Sequence, residues 1–163
     1  MSNTAIDLET VGWGFTGVSE FSPPTSASEA AVVLVSDQPN DRLATQIKPL
    51  CEYLGVSLEQ VSTSEGLGHT LRTTRPVAVV PDCQAGVLGI WHIIEAVVAH
   101  DRHLPTLVVT GSDRKMGQVV QGIAKLWQAE GVETMPGAPA TKDLVEFLFR
   151  AGMRSGIEGL LAA

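Results

Sequence analysis

From residue 31 to about residue 151 the chain alternates short apolar runs with longer stretches whose apolar residues recur at helical spacing. Residues 31–35 and 77–80 are unbroken small or β-branched apolar runs, the pattern of strands covered on both faces. Residues 106–110 form a further strand. Residues 56–61 are half polar and read as an edge strand, and 132–135 make a poor fifth one. Between them the spacing predicts helices over 39–54, 64–73, 87–99, 114–130 and 141–151.

The first helix carries Pro39 in its first turn and Gly55 at its end, while Pro49 predicts a kink or a misplaced boundary. Gly66 and Gly68 weaken the second. Leu88, Trp91, Ile94 and Val98 mark the inner face of the third; Met116, Val119, Val120, Ile123 and Trp127 that of the fourth, which Gly131 ends. Leu144, Val145, Leu148 and Phe149 mark the fifth. Five strand–helix units joined by right-handed crossovers predict an α/β fold: a doubly wound, five-stranded parallel sheet in the flavodoxin-like order 2-1-3-4-5. Its switch point lies between the ends of the first and third strands.

Composition adds limits. The chain has 163 residues, with 11 Lys and Arg against 18 Asp and Glu, a net charge of -7. That length suits one domain, and that charge argues against nucleic acid and against anionic membrane surfaces as partners. A basic leader and a long apolar span are both missing from the sequence, and Cys51 and Cys83 read as reduced thiols, so a cytoplasmic protein is expected. Residues 1–29, rich in Ser, Thr, Gly and Pro, read as an arm or linker before a domain of residues 30–152 and a tail of 153–163. Trp13, Phe15 and Phe21 leave two readings of the arm: rings that dock on the same chain or a partner, since exposed aromatics are favoured interface anchors, or a disordered tail.

The predicted switch point gathers Ser36 and Asp37 after the first strand, Pro81, Asp82 and Cys83 after the third, Thr110 after the fourth, and Met135 with Pro136 after the fifth. The segments Val-Val-Leu-Val-Ser-Asp-Gln-Pro, Val-Ala-Val-Val-Pro-Asp-Cys-Gln-Ala-Gly-Val-Leu-Gly and Leu-Pro-Thr-Leu-Val-Val-Thr-Gly-Ser resemble the receiver domain of bacterial response regulators over about residues 31–150. In that family an acidic pair ends the first strand, a phospho-accepting Asp the third, a Thr or Ser the fourth, and a Lys before Pro the fifth. The resemblance implies a degenerate set. Ser36 stands at the first acid and Asp37 at the second; Pro81 falls on the acceptor, Thr110 is kept, and Met135 replaces the Lys.

Those replacements remove chemistry. Mg²⁺ asks for octahedral oxygen ligands including one or two carboxylates, and Asp37 is the only acid in register. A Met thioether cannot neutralise a phosphoryl charge, and Pro81 carries neither a nucleophilic oxygen nor an N–H. The expectation is a pseudo-receiver of two-component signal transduction: not an enzyme, without cofactor or bound metal, acting by contact with a protein partner such as a kinase, an output domain or a regulatory complex, or with a second copy as a dimer. By resemblance, the face formed by the fourth helix, fifth strand and fifth helix carries such contacts, with Trp127, Phe147 and Phe149 on its helices, one or more of them serving the core.

Two alternatives stand beside this. A shift at Pro81 brings the Asp82 carboxylate into the pocket with Asp37 and Mg²⁺, making a phosphorylatable receiver; otherwise Asp82 caps the third helix or faces water. Cys83, just before a helix start where a thiol pKa falls, is the nucleophile of a small cysteine-dependent enzyme, although the glycines of a nucleophile elbow are missing and no His is placed beside it. His100 and His103 have a spacing that can share a metal but read as a solvated loop. Ser112 or Asp113 reads as the N-cap of the fourth helix. No Gly-rich nucleotide fingerprint follows the first strand.

Overall fold

The computed structural model describes residues 30–36, 42–82, 86–111, 114–137 and 139–156. Strands and helices alternate strictly: β1 Ala30–Val35, α1 Arg42–Leu54, β2 Ser57–Val61, α2 Ser64–Thr73, β3 Arg75–Pro81, α3 Gly86–His100, β4 Thr106–Gly111, α4 Arg114–Trp127, β5 Val132–Pro136 and α5 Thr141–Arg154. The sheet is parallel throughout, in the order β2-β1-β3-β4-β5 that the apolar pattern predicts.

Side chains alternate across it. Val32, Leu34, Ala78, Val80, Leu107 and Val109 pack with α1 and α5, whereas Val33, Val35, Val79 and Val108 pack with α2, α3 and α4. Because both faces are covered, β1, β3 and β4 show no polar alternation, which is why they were unbroken apolar runs. The edge strand β2 is only partly buried, as its half-polar sequence predicts.

Helix ends follow local chemistry. Thr63 caps α2, its hydroxyl oxygen accepting from the Gly66 N–H at 3.0 Å. Gly55, at φ 74, closes α1: its N–H reaches the Glu52 carbonyl and that of Val56 the Cys51 carbonyl. The same paired bonds close α4, where Gln128 takes the left-handed position at φ 56. The helix therefore stops three residues before the expected residue 130. Gly131 is no helix terminator; a Cβ there would run into the carbonyl oxygens of Leu104 and His103. Pro49 lies inside α1, which continues past it to Leu54.

Two helix faces differ from expectation. In α3 the buried positions are Ile90, Ile93, Ile94 and Val97, with Trp91 and Val98 only partly buried and Leu88 outside the described side chains. So few residues of α3 are polar that its sequence does not fix which face turns inward. In α5, Leu144, Phe147, Leu148 and Ala151 are buried, and Val145 and Phe149 lie at the margin. Apolar residues at 144, 145, 147, 148 and 149 leave the helical phase ambiguous by a residue or two.

Candidate functional site

The carboxyl ends of β1, β3, β4 and β5 form one rim, held by main-chain bonds. Ser36, buried, donates its N–H to the Val61 carbonyl at 2.9 Å. Val35 stands in register with Pro81, and Asp82 extends β3 by a single bridge to Val109. Pro81 is thus the last residue of β3 proper, buried between its neighbours.

Alternation decides which way these residues face. Val79 belongs to the α2–α3–α4 side and Val80 to the α1–α5 side, so Pro81 continues the first and Asp82 the second. Thr110 follows Val108 onto the Pro81 side. Met135 packs on the opposite side, against the α1–α5 cluster. The Thr110 hydroxyl donates to the Met135 carbonyl oxygen at 3.3 Å, tying β4 to β5. It also borders an open groove of about 620 Å³ between α4 and β5, where Arg114, Gln121, Lys125, Thr134 and Pro136 complete the walls. That groove was not evident from the sequence: Gly117 and Gly122 line it and leave the helix face bare, and the apolar stripe of α4 passes them by.

Among the described residues the rim offers one carboxylate, half-buried Asp82, and the hydroxyls of Ser36 and Thr110. No group of three His, Cys, Asp or Glu side chains that could hold a metal occurs among the described residues. Asp37, Cys83, Ser112 and Asp113 lie outside them, as do Trp13, Phe15 and Phe21.

The three aromatic contact candidates of α4 and α5 separate. Phe147 is 2% exposed and belongs to the core, so this residue is withdrawn as a contact candidate: its position in the α5 turn points it at the sheet. Phe149 is half-buried and meets Tyr53 edge to face, with ring centroids 6.4 Å apart. Trp127 is half-buried and packs edge to face on Trp91 of α3 at 5.5 Å. Among the described residues the large apolar side chains most open to solvent are instead Tyr53, Leu126 and Met153. Tyr53 could have been found from α1, because it falls off the Leu43, Ile47, Cys51 and Leu54 stripe.

At the opposite end of the sheet, His100 to His103 is a structural corner. The Asp101 carboxylate accepts from the His103 N–H at 2.9 Å and from the Arg154 guanidinium at 3.1 Å. Slight burial opposes ionisation there, but these two donors outweigh it and hold the Asp101 carboxyl below its ordinary range. The His103 ring faces Glu130 at 3.3 Å. Burial, with the Glu52 charge beside it, pushes the Cys51 thiol up to about 12. No helix among the described residues is long and apolar enough to cross a membrane.

No protein-family model and no curated protein matches the chain. Solved structures do. The receiver domain of a sensor histidine kinase from Pseudomonas aeruginosa, with a magnesium ion coordinated in its active site cleft, is 21% identical over 76% of this chain and 97% of its own, with a TM-score of 0.52. A sensor protein from Polaromonas is 17% identical over 77% of this chain and 97% of its own, at 0.59. The receiver domain of a Francisella response regulator is 13% identical over 78% and 99%, at 0.55. Identities this low speak to architecture alone, and the architecture of this chain is the response-regulator receiver fold.

Proposed function

We propose that the chain is a phosphorylation-independent, receiver-like signalling module that acts through protein–protein contact and catalyses no reaction. The observation that carries this reading is Pro81: it closes β3 in register with Val35, at the place where the resemblance puts the phospho-accepting aspartate. A proline there supplies no carboxylate. Met135, at the position of the family's lysine, supplies no cation and packs against the α1–α5 cluster. What remains for communication is surface, with Leu126, Trp127, Arg114 and Lys125 on α4 and Phe149 on α5 as the contact residues. A kinase, an output domain, a regulatory complex or a second copy is the partner class.

The second reading, phosphorylation of Asp82 with Asp37 and Mg²⁺, is favoured by the half-buried place of Asp82 at the rim. The alternation that turns it from the Pro81 side counts against it. Light scattering on the eluting full chain, before and after a small phosphodonor and Mg²⁺, tests the choice. The proposal expects the same mass and elution in both runs, and a shift that needs both reagents favours Asp82.

A further inference from the structure

We propose that the groove between α4 and β5 takes an extended acidic segment of a partner protein, added as a further strand along the open edge of β5 with its carboxylates on Arg114 and Lys125. The inference rests on the protein-contact reading above and names the kind of chain that the α4 surface receives. Arg114, Gly117, Gln118, Gln121, Gly122 and Lys125 recur at helical steps, so they form one stripe of α4, and the groove of about 620 Å³ lies between that stripe and Thr134.

Main chain lies open on both walls. β5 is an edge strand: among the described residues it pairs with β4 alone, so its outward N–H and carbonyl groups have no strand partner. Across from it Gly117 and Gly122 carry no side chain, and a Cβ built at Gly122 would meet nothing within 4 Å. Glycine weakens a helix, and what these two leave in exchange is room for a second backbone beside β5.

Charge selects the occupant. The chain has a net charge of -7, yet α4 holds Arg114, Lys115 and Lys125 and no acidic residue. Arg114 and Lys125 make no ion pair and no hydrogen bond with the described residues, whereas the arginines of α5 are already engaged, Arg150 by Glu133 and Arg154 by Asp101. No acidic side chain among the described residues lines the groove. Arg114 and Lys125 stand three helical turns apart, about 16 Å. On an extended strand two acids four residues apart point to the same side about 13 Å from each other, a difference that the reach of the Arg and Lys side chains closes. A helical occupant would need about nine residues for the same spacing and would leave the β5 edge unpaired. The groove beside the other edge strand, β2, presents Lys48 and Glu52 together and selects no charge. A second copy fits less well, because the single acid of β5, Glu133, is held by Arg150 and β2 brings only Glu59.

Nuclear magnetic resonance titration of the isotope-labelled full chain tests the inference, with a short peptide that alternates Thr and Val and holds two Glu four residues apart, and with the same peptide holding Lys in place of both Glu. Amide signals of β5 and of residues 117–122 should move with the acidic peptide and not with the basic one, and the outward amides of β5 should exchange more slowly with solvent. Arg114→Gln with Lys125→Gln should weaken binding about tenfold, the loss expected of two exposed ion pairs. Gly122→Leu, which fills the groove, should abolish it, and Arg114→Glu with Lys125→Glu should take the basic peptide instead. Unchanged affinity in the Gln variant, shifts at β2, no slowing of β5 exchange, or signals that move with protein concentration alone would overturn the proposal. Amide spectra matching the unsubstituted chain away from the groove verify that each variant is folded. Each titration is repeated with acetyl phosphate and Mg²⁺. Binding that needs both reagents keeps the groove assignment and refutes phosphorylation independence, whereas no binding in either condition refutes the groove assignment and leaves that reading standing.

Discussion

The backbone N–H of Asp82 donates to the carbonyl oxygen of Val35 at 2.9 Å, so the ladder between β1 and β3 continues past Pro81. Pro81 can occupy the middle of this ladder because, in a parallel pair, alternate residues point their N–H groups to opposite neighbours. The last residue of β3 is thereby a rigid ring with no N–H to offer on the β4 side, flanked by main-chain pairing at Val79 and at Asp82.

Phe147 and Phe149 sit two residues apart and differ sharply in burial. Phe147→Ala should cost about 3–5 kcal/mol through the cavity it leaves, and Phe149→Ala less than half of that. Urea unfolding of the two variants measures the difference. Equal losses would contradict the assignment of Phe147 to the core.

Gly131→Ala should destabilise by about 1–3 kcal/mol, because its new methyl group meets two backbone carbonyl oxygens that cannot turn aside. Gly122→Ala, on an exposed face of α4 with open space around it, should stabilise by about 0.5–1 kcal/mol. Thermal unfolding of the pair should move in opposite directions.

The strand order and all five strand positions were legible in the sequence; a strand buried on both faces must be apolar at every position, and Val77 to Val80 leaves little other choice. The helix phases were less legible. α3 and α5 carry apolar residues on adjacent positions, so the inward face depends on tertiary packing, as Ile90 and Phe147 show. At the site, Pro81 and Thr110 could be placed by counting along strands. The α4–β5 groove could not, since it arises from bare glycines opposite another element. Gly131 looked like a helix stop, and only the backbone of Leu104, distant in sequence, explains it.

The Asp101 carboxyl lies below its ordinary 3.8 in the folded chain. Its contribution is therefore present above that value and is lost as pH falls through the lower folded value. Both partners are more than a third exposed, so the pair is worth only about 0.2–1 kcal/mol. Asp101→Asn should match the unsubstituted chain at acid pH and fall behind it near neutrality. A constant difference across the range would show that the charge is irrelevant.

With its pKa raised from 9.0 to about 12, Cys51 stays a thiol in the folded chain. Iodoacetamide at mildly alkaline pH should leave Cys51 unmodified in the native protein and label it in denaturant. The sign for stability is opposite to that of Asp101: the contribution is full below 9.0 and is lost as pH rises toward 12. Cys83 should alkylate no faster than a free thiol; faster labelling there would revive the cysteine enzyme.

Intact-mass measurement of the full chain after incubation with acetyl phosphate and Mg²⁺, beside an Asp82→Asn variant, tests the central claim most directly. The account predicts that neither protein gains a phosphoryl group. An acid-labile adduct on the unsubstituted chain that Asp82→Asn abolishes would contradict it.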